Sequence, residues 1–125
     1  MNKSAQEVAS AWIAKWSQPD PDAGLDGFDL DFDIPRENPN LCLEAILEIL
    51  EIIPADISNH HFQVLAAGPL EDLLVEHGET YVGRIEELAR QRPDFRLLLN
   101  GVWNNSINPN VVNNFQSIGV TNGKL

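Results

Sequence analysis

The stretch "NPNLCLEAILEIL", residues 38–50, carries the clearest helix signal in the chain. Asn38 suits the N-cap position, where its side-chain oxygen can accept a backbone N–H, and Pro39 suits the first helical position, where no N–H is needed. Between residues 41 and 53 every position is apolar except three glutamates, spaced by four and then three residues: Glu44, Glu48 and Glu51. These glutamates share one narrow stripe, so the pattern predicts a nearly buried helix with one acidic edge, ending at Pro54.

Comparable start and stop signals recur on both sides of this helix. Ser4 followed by Glu7 forms a capping box before an apolar face spaced by three and four residues, which predicts a first helix over residues 5–16. The Asn-Pro-Asn tripeptide returns at residues 108–110 and predicts the start of a last helix. The expected boundaries of the helices between them are Ser58, Gly68, Pro69, Gly78 and Pro93.

These signals predict an all-α fold: a compact bundle of about six or seven short helices, for which HEAT-like stacked hairpins are one arrangement. A chain of 125 residues and 13.9 kDa fits a single helical domain over residues 1–125. Its start lacks the apolar core of a secretory signal, and no run reaches the ~18 apolar residues of a membrane span. We therefore expect a cytoplasmic protein that does not associate with membranes.

Charge is distributed unevenly along the chain. The formal net charge is −11, and residues 18–60 hold eleven acidic side chains against a single basic one, Arg36. Such a surface repels nucleic acid and anionic membranes, and it steers basic partners over a Debye length of ~8 Å in physiological salt. The composition therefore predicts a basic protein partner and disfavours direct binding of nucleic acid.

The most acidic segment, "DGFDLDFDIP" at residues 26–35, is open to several interpretations. A calcium loop would need Gly where Ile34 stands and a bidentate Glu where Asn40 stands, so that match fails. The alternation of Asp with apolar residues also fits a lone edge strand, and Phe28 and Phe32 stand one helical turn apart. We expect residues 18–37 to form an acidic loop or short helix, whose carboxylates are either simply solvated or turned toward a basic partner.

Catalytic and metal-binding signals are weak. Glu71, Asp72 and His77 could contribute to acid–base chemistry, but their spacing does not bring them together on one helix face. His77, next to Gly78, is more typical of a C-terminal cap, and the adjacent His60 and His61 lack a third metal ligand at a matching spacing. Cys42 is the only cysteine, which excludes an internal disulfide and a Cys-based zinc site. The sequence predicts no metal and no cofactor.

Two blocks of sequence resemble an uncharacterised bacterial family of small all-helical proteins. They are "AAGPLEDLLVEHG" at residues 66–78 and "RIEELARQRPDFRLLLNGVWNNS" at residues 84–106, and the helix beginning at Asn38 extends the likeness over residues 38–106. Residues 18–37 depart from the family, being shorter and more acidic. The resemblance implies a helical fold but no established activity, and the residues it offers for a shared role are Glu71, Asp72, His77, Trp103 and Asn105.

Together these observations favour a non-enzymatic protein-interaction module. Small acidic proteins of this form include immunity proteins and inhibitors that block cationic toxins. The predicted partner-binding residues are Phe28, Asp29, Asp31, Phe32, Asp33, Glu44, Glu48 and Glu51. The alternative is a small-ligand-binding protein or an enzyme with a polar pocket around Glu71, Asp72, His77, Trp103 and Asn105.

Overall fold

A computed structural model describes residues 4–18, 30–102 and 107–116. Within these ranges the α-helices are α1 (Ala5–Trp16), α2 (Asp33–Glu37), α3 (Pro39–Leu50), α4 (His60–Leu65), α5 (Glu71–Gln91), α6 (Pro93–Asn100) and α7 (Pro109–Gln116). A short π-helical segment, Ala66–Leu70, joins α4 to α5, and no strand occurs in the described parts of the chain. The all-α prediction is confirmed, and the edge-strand interpretation of residues 30–34 gives way to a turn followed by α2.

Helix starts follow the local signals of the sequence. In α1 the Glu7 N–H donates to Ser4 Oγ at 3.1 Å, and the Ser4 N–H donates to Glu7 Oε1 at 3.0 Å, which completes the capping box. In α3 the Leu41 N–H donates to the Asn38 side chain at 3.3 Å, with Pro39 at the first helical position. Both starts are confirmed because each cap is satisfied within three residues of sequence.

α3 lies at the centre of the bundle, where it packs mainly against α1 and also contacts α2, α5 and α6. Its buried face includes Cys42, Ala45, Ile46 and Ile49, which belong to one apolar core shared by all the longer helices. The helix ends at Leu50, and the next three residues form a turn, so it is slightly shorter than its apolar run.

The predicted break at Gly68-Pro69 is wrong, because the chain continues from α4 into α5 without leaving a helical path. Proline removes one N–H and crowds the carbonyl of the preceding turn in an α-helix. Here the wider π-helical turn at Ala66–Leu70 takes up that misfit and keeps Pro69 buried. The start of α4 also differs by one residue, since Asn59 caps it while Ser58 bonds to Asp56.

The predicted helix boundary at Gly78 coincides with a kink, because α5 consists of two helical parts that meet at His77. His77 has φ −136° and ψ 20°, outside the helical region, and the helix resumes at once. Gly78 is buried against α7, where a Cβ atom would lie 3.3 Å from Val111 Cγ2. The His77 side chain bonds to the distant Arg36 carbonyl, so the predicted role as a cap of its own helix is wrong. No helix in the described ranges combines the length and apolarity needed to cross a bilayer.

Candidate functional site: a carboxylate held by α1 and the acids around it

Four side chains from α1 and the turn before α2 meet at one point, here called the Asp31 cluster: Trp12, Lys15, Trp16 and Asp31. Trp12 Nε1 donates to Asp31 Oδ1 at 2.9 Å. Lys15 Nζ lies 2.6 Å from Asp31 Oδ2, and Trp16 Nε1 donates to the same oxygen at 3.1 Å. Both carboxylate oxygens are therefore held by donors of α1, which fastens the turn at residues 30–32 to that helix.

Asp31 points into this cluster, so the expectation that its carboxylate faces outward toward a partner is wrong. The Asp31 and Lys15 side chains are only 11% and 8% exposed. A Cβ atom at Gly68 would lie 3.8 Å from Asp31 Oδ1, so the π-helical segment also lies next to the carboxylate. A carboxylate neutralised this closely by its own lysine offers little charge to a partner.

Lys15 was the residue that sequence reasoning missed, although a signal for it exists. Lys15 lies three residues after Trp12, which itself lies four residues after Val8. This spacing places the three side chains on one face of α1, and all three are buried. A lysine at such a position needs a nearby carboxylate, since an unpaired buried charge is strongly destabilising. The sequence does not show which of its many acids supplies that carboxylate.

Two histidines of α4 lie against the tryptophans of the cluster. The His61 ring centroid is 6.1 Å from that of Trp12, and the His60 centroid is 6.0 Å from that of Trp16. His61 Nε2 also lies 3.1 Å from Ser17 Oγ, just past the end of α1. Both histidines belong to the first turn of α4, where they pack on α1.

The residues next to Asp31 do face solvent. Phe32 is 63% exposed, with Lys15 Nζ 5.9 Å from its ring centroid, and Asp33 is exposed in the first turn of α2. The other two predicted residues of this segment, Phe28 and Asp29, lie outside the described residues. The structure therefore pairs an exposed aromatic side chain with an adjacent exposed carboxylate.

The three glutamates of the α3 stripe differ in their surroundings. Glu44 is exposed and Glu48 is half-buried, while Glu51 lies just past the helix end. Arg92 Nη2 contacts Glu51 at 2.8 Å and Asp94 at 2.9 Å, so the charge of Glu51 is partly balanced within the chain. Glu44 and Glu48 are the members of the stripe with the most charge available to a partner.

The described members of the alternative pocket do not converge. His77 Nε2 donates to the Arg36 carbonyl at 2.8 Å. His77 also lines a cleft of about 250 Å³ beside the α5 kink, but Glu71 and Asp72 do not line it. Burial raises the pKa of Asp72, as do the nearby Asp31 and Glu76 charges, against the opposing effect of Arg36. Trp103 and Asn105 lie outside the described residues, so their part in a pocket stays a prediction.

A model of DUF6869, a family of unknown function, matches residues 29–122. The chain belongs to DUF6869. This membership confirms the resemblance to an uncharacterised family. No curated protein and no solved structure matches the chain. The DUF6869 match includes Asp31 and all of α2 to α7, whereas α1, with Trp12, Lys15 and Trp16, precedes it.

Two further features of this DUF6869 chain bear on its chemistry. An apolar cleft of about 610 Å³ lies between α4 and α6, and its lining includes the exposed Ile57 together with Phe62 and Leu97. Burial raises the pKa of the Cys42 thiol far above its usual range, which keeps it protonated and unreactive. Within the described ranges, no group of three or more His, Cys, Asp or Glu side chains is arranged to hold a metal ion.

Proposed function

We propose that this protein is a non-enzymatic interaction module that binds a basic protein partner through carboxylates on α2 and α3. The carboxylates in question, here called the α2–α3 acids, are Asp33, Glu37, Glu44 and Glu48. The observation that carries the proposal is that these four acids are exposed or half-buried and make no ion pair with any cation of the described residues. Their charge is available to another molecule.

The pairing of the other acids supports this assignment. The ion pairs of the described residues use carboxylates outside the α2–α3 acids: Asp31, Glu51, Glu76, Glu86, Glu87 and Asp94. Among the described residues Arg36 is the one cation on α2 and α3, and its ion pair is with Glu76 of α5. A basic protein would be steered to α2 and α3 by the remaining potential.

Phe32 supplies the apolar anchor that such an interface requires. Charged groups at an interface mainly raise the association rate and fix orientation, whereas a few desolvated aromatic residues supply most of the affinity. Phe32 is 63% exposed and directly precedes Asp33, so two neighbouring side chains of the partner would contact both residues. We assign Phe32 as the anchor and the α2–α3 acids as the steering charges.

The partner that fits this surface is a protein with a clustered Lys and Arg surface. A cationic toxin blocked by this chain, as by an immunity or inhibitor protein, is one such partner. Direct nucleic-acid binding conflicts with the net charge of −11.

The experiment compares two variants of equal net charge. The four-amide variant carries Asp33→Asn, Glu37→Gln, Glu44→Gln and Glu48→Gln. The matched control neutralises four acids elsewhere through Asp56→Asn, Glu79→Gln, Glu86→Gln and Glu87→Gln. Proteins captured from the native source by the wild-type chain are identified by mass spectrometry, and the association rate of each is measured at several salt concentrations.

We expect capture of a basic protein whose association with the four-amide variant is about tenfold slower and less salt-dependent, with the control close to wild type. Phe32→Ala should leave association almost unchanged and speed dissociation by about tenfold. Equal rates for the four-amide variant and its control would remove the assignment of the α2–α3 acids. Capture of acidic or uncharged proteins alone would remove the basic partner.

A further inference from the structure

The donors of the Asp31 cluster all come from one helix face. Lys15 and Trp16 follow Trp12 on α1 by three and four residues, and the three nitrogen atoms converge on the two oxygens of a single carboxylate at 2.9, 2.6 and 3.1 Å. The acceptor comes from a different part of the chain, since Asp31 lies 15 to 19 residues from its three donors. The donors therefore form a receptor, and Asp31 is the group that fills it.

We propose that this face of α1 is a carboxylate-binding site, which the chain keeps filled with its own Asp31. The two indole N–H groups approach different oxygens, while the ammonium group approaches the oxygen shared with Trp16. A planar group with two acceptor atoms satisfies this arrangement, whereas a single chloride ion cannot reach both indoles in the same way. The ligand class is a carboxylate, free or at the end of a side chain.

Burial makes the site selective for a charged ligand. Trp12 is fully buried and the Lys15 side chain is only 8% exposed, so the ammonium group has little access to water in the filled site and relies on the carboxylate for its partner. Leaving a buried charge without its partner is far more destabilising than leaving an exposed one. An empty site should therefore take up a small carboxylate from solution.

The wild-type chain hides this property because its own carboxylate is tethered. A tethered group acts at an effective concentration of the order of mM or more, so a dilute external carboxylate cannot compete with Asp31. Occupancy also fixes the turn that leads into α2, where Phe32 and Asp33 follow directly. Displacement of Asp31 by a stronger carboxylate ligand would release the turn at residues 30–32 from α1.

The test removes the tethered ligand with Asp31→Ala and supplies formate as the probe. The Tm of the full chain is followed by far-UV circular dichroism and tryptophan fluorescence, with sodium formate compared against sodium chloride at matched ionic strength. We expect Asp31→Ala to lower the Tm by roughly 10 °C. Formate should restore part of that loss in a saturable manner, chloride should not, and the wild-type chain should show no formate-specific rise.

Two further variants decide the result. Asp31→Asn fills the space with an amide, so formate should not stabilise it, and adding Lys15→Met to Asp31→Ala should abolish the formate response. If Asp31→Ala is unfolded, the same titration reports formate-dependent refolding. An equal response to formate and chloride, a formate response that survives loss of Lys15, or no refolding of an unfolded Asp31→Ala chain by formate would each overturn the proposal. These outcomes do not depend on the proposed partner interaction.

Discussion

Asp72 and Asp94 occupy surroundings that shift their pKa values in opposite directions. Arg92 donates two hydrogen bonds to Asp94, at 3.1 and 2.9 Å, and they hold the pKa of that carboxyl below its usual range. Burial raises the pKa of Asp72, and the nearby charges of Asp31 and Glu76 add to the rise. One carboxylate therefore stabilises the fold when ionised, and the other opposes it.

Amide substitutions at these two positions should change stability with opposite signs. At neutral pH, Asp94→Asn should lower the free energy of unfolding by about 1 kcal/mol, because hydrogen bonds to a charged group are lost. Asp72→Asn should raise it, because the native state no longer holds a disfavoured charge. Urea denaturation of both variants and the wild type measures these differences.

The pH dependence follows from the direction of each shift. The contribution of Asp94 is present above its unfolded pKa of ~3.9 and is lost as pH falls through its lower folded pKa. The destabilising effect of Asp72 is present above its raised folded pKa and disappears as pH falls toward ~3.9. Both differences from wild type should therefore shrink in acid, and a difference that persists there would show that packing is responsible.

At the scale of the element, α5 is a long helix with a kink at His77 and two glycines in different surroundings. A Cβ atom at Gly83 would meet no atom within 4 Å, whereas one at Gly78 would lie 3.3 Å from Val111 Cγ2. His77 and Tyr81 fasten the kinked region to the end of α2 and the start of α3, through the Arg36 carbonyl and the Asn40 side chain. The tertiary contacts therefore hold the part of α5 around the kink and leave the surroundings of Gly83 open.

Alanine substitutions should separate these two environments. Gly83→Ala should raise the free energy of unfolding by about 1 kcal/mol, because alanine favours the helix interior and has room there. Gly78→Ala should give no such gain, since Val111 is buried and must shift to admit the new methyl group. Chemical denaturation tests this pair, and an equal gain in both variants would show that α7 moves aside freely.

At the scale of the whole molecule, the dominant feature is a net charge of −11 that the internal ion pairs do not balance. Repulsion among like charges disfavours the compact state and weakens as salt shortens the Debye length from ~30 Å at ~0.01 M to ~8 Å at ~0.15 M. The ion pairs respond in the opposite direction, but three of the six among the described residues are largely exposed and contribute little. Repulsion should therefore determine the response to salt.

Thermal denaturation at increasing sodium chloride should show this directly. We expect the Tm to rise by a few degrees, roughly 3 °C, between those two ionic strengths. The four-amide variant should show a smaller rise, because it lacks four of the charges that repel. A Tm that falls with salt would mean that internal ion pairs outweigh the repulsion.

Much of the fold could be predicted because the controlling interactions are local. The start of α1 depends on two hydrogen bonds between Ser4 and Glu7, and the start of α3 depends on one between Asn38 and the N–H of Leu41. In each case the two residues are three positions apart. Local signals failed where a distant group intervened. Pro69 indicates a helix end in isolation, but the packing of the surrounding helices favours a π-helical turn that continues the helix.

The candidate site was harder to predict because its residues meet only in three dimensions. Lys15 and Asp31 are 16 residues apart, and His77 lies 41 residues from the Arg36 carbonyl that it contacts. The sequence shows an excess of carboxylates but not which of them are already neutralised. Asp31 and its exposed neighbour Asp33 illustrate this, since they look alike in the sequence.

The sequence by itself determined the helical class, most of the helix starts and the uneven charge, because caps, apolar periodicity and composition act over one or two turns of chain. Only the tertiary structure decided which acid pairs with Lys15, which acids remain exposed, and how the chain passes Pro69 and His77. These outcomes depend on side chains brought together from distant positions. Their energies come from burial and from the distances between charges, neither of which is defined until the helices have packed.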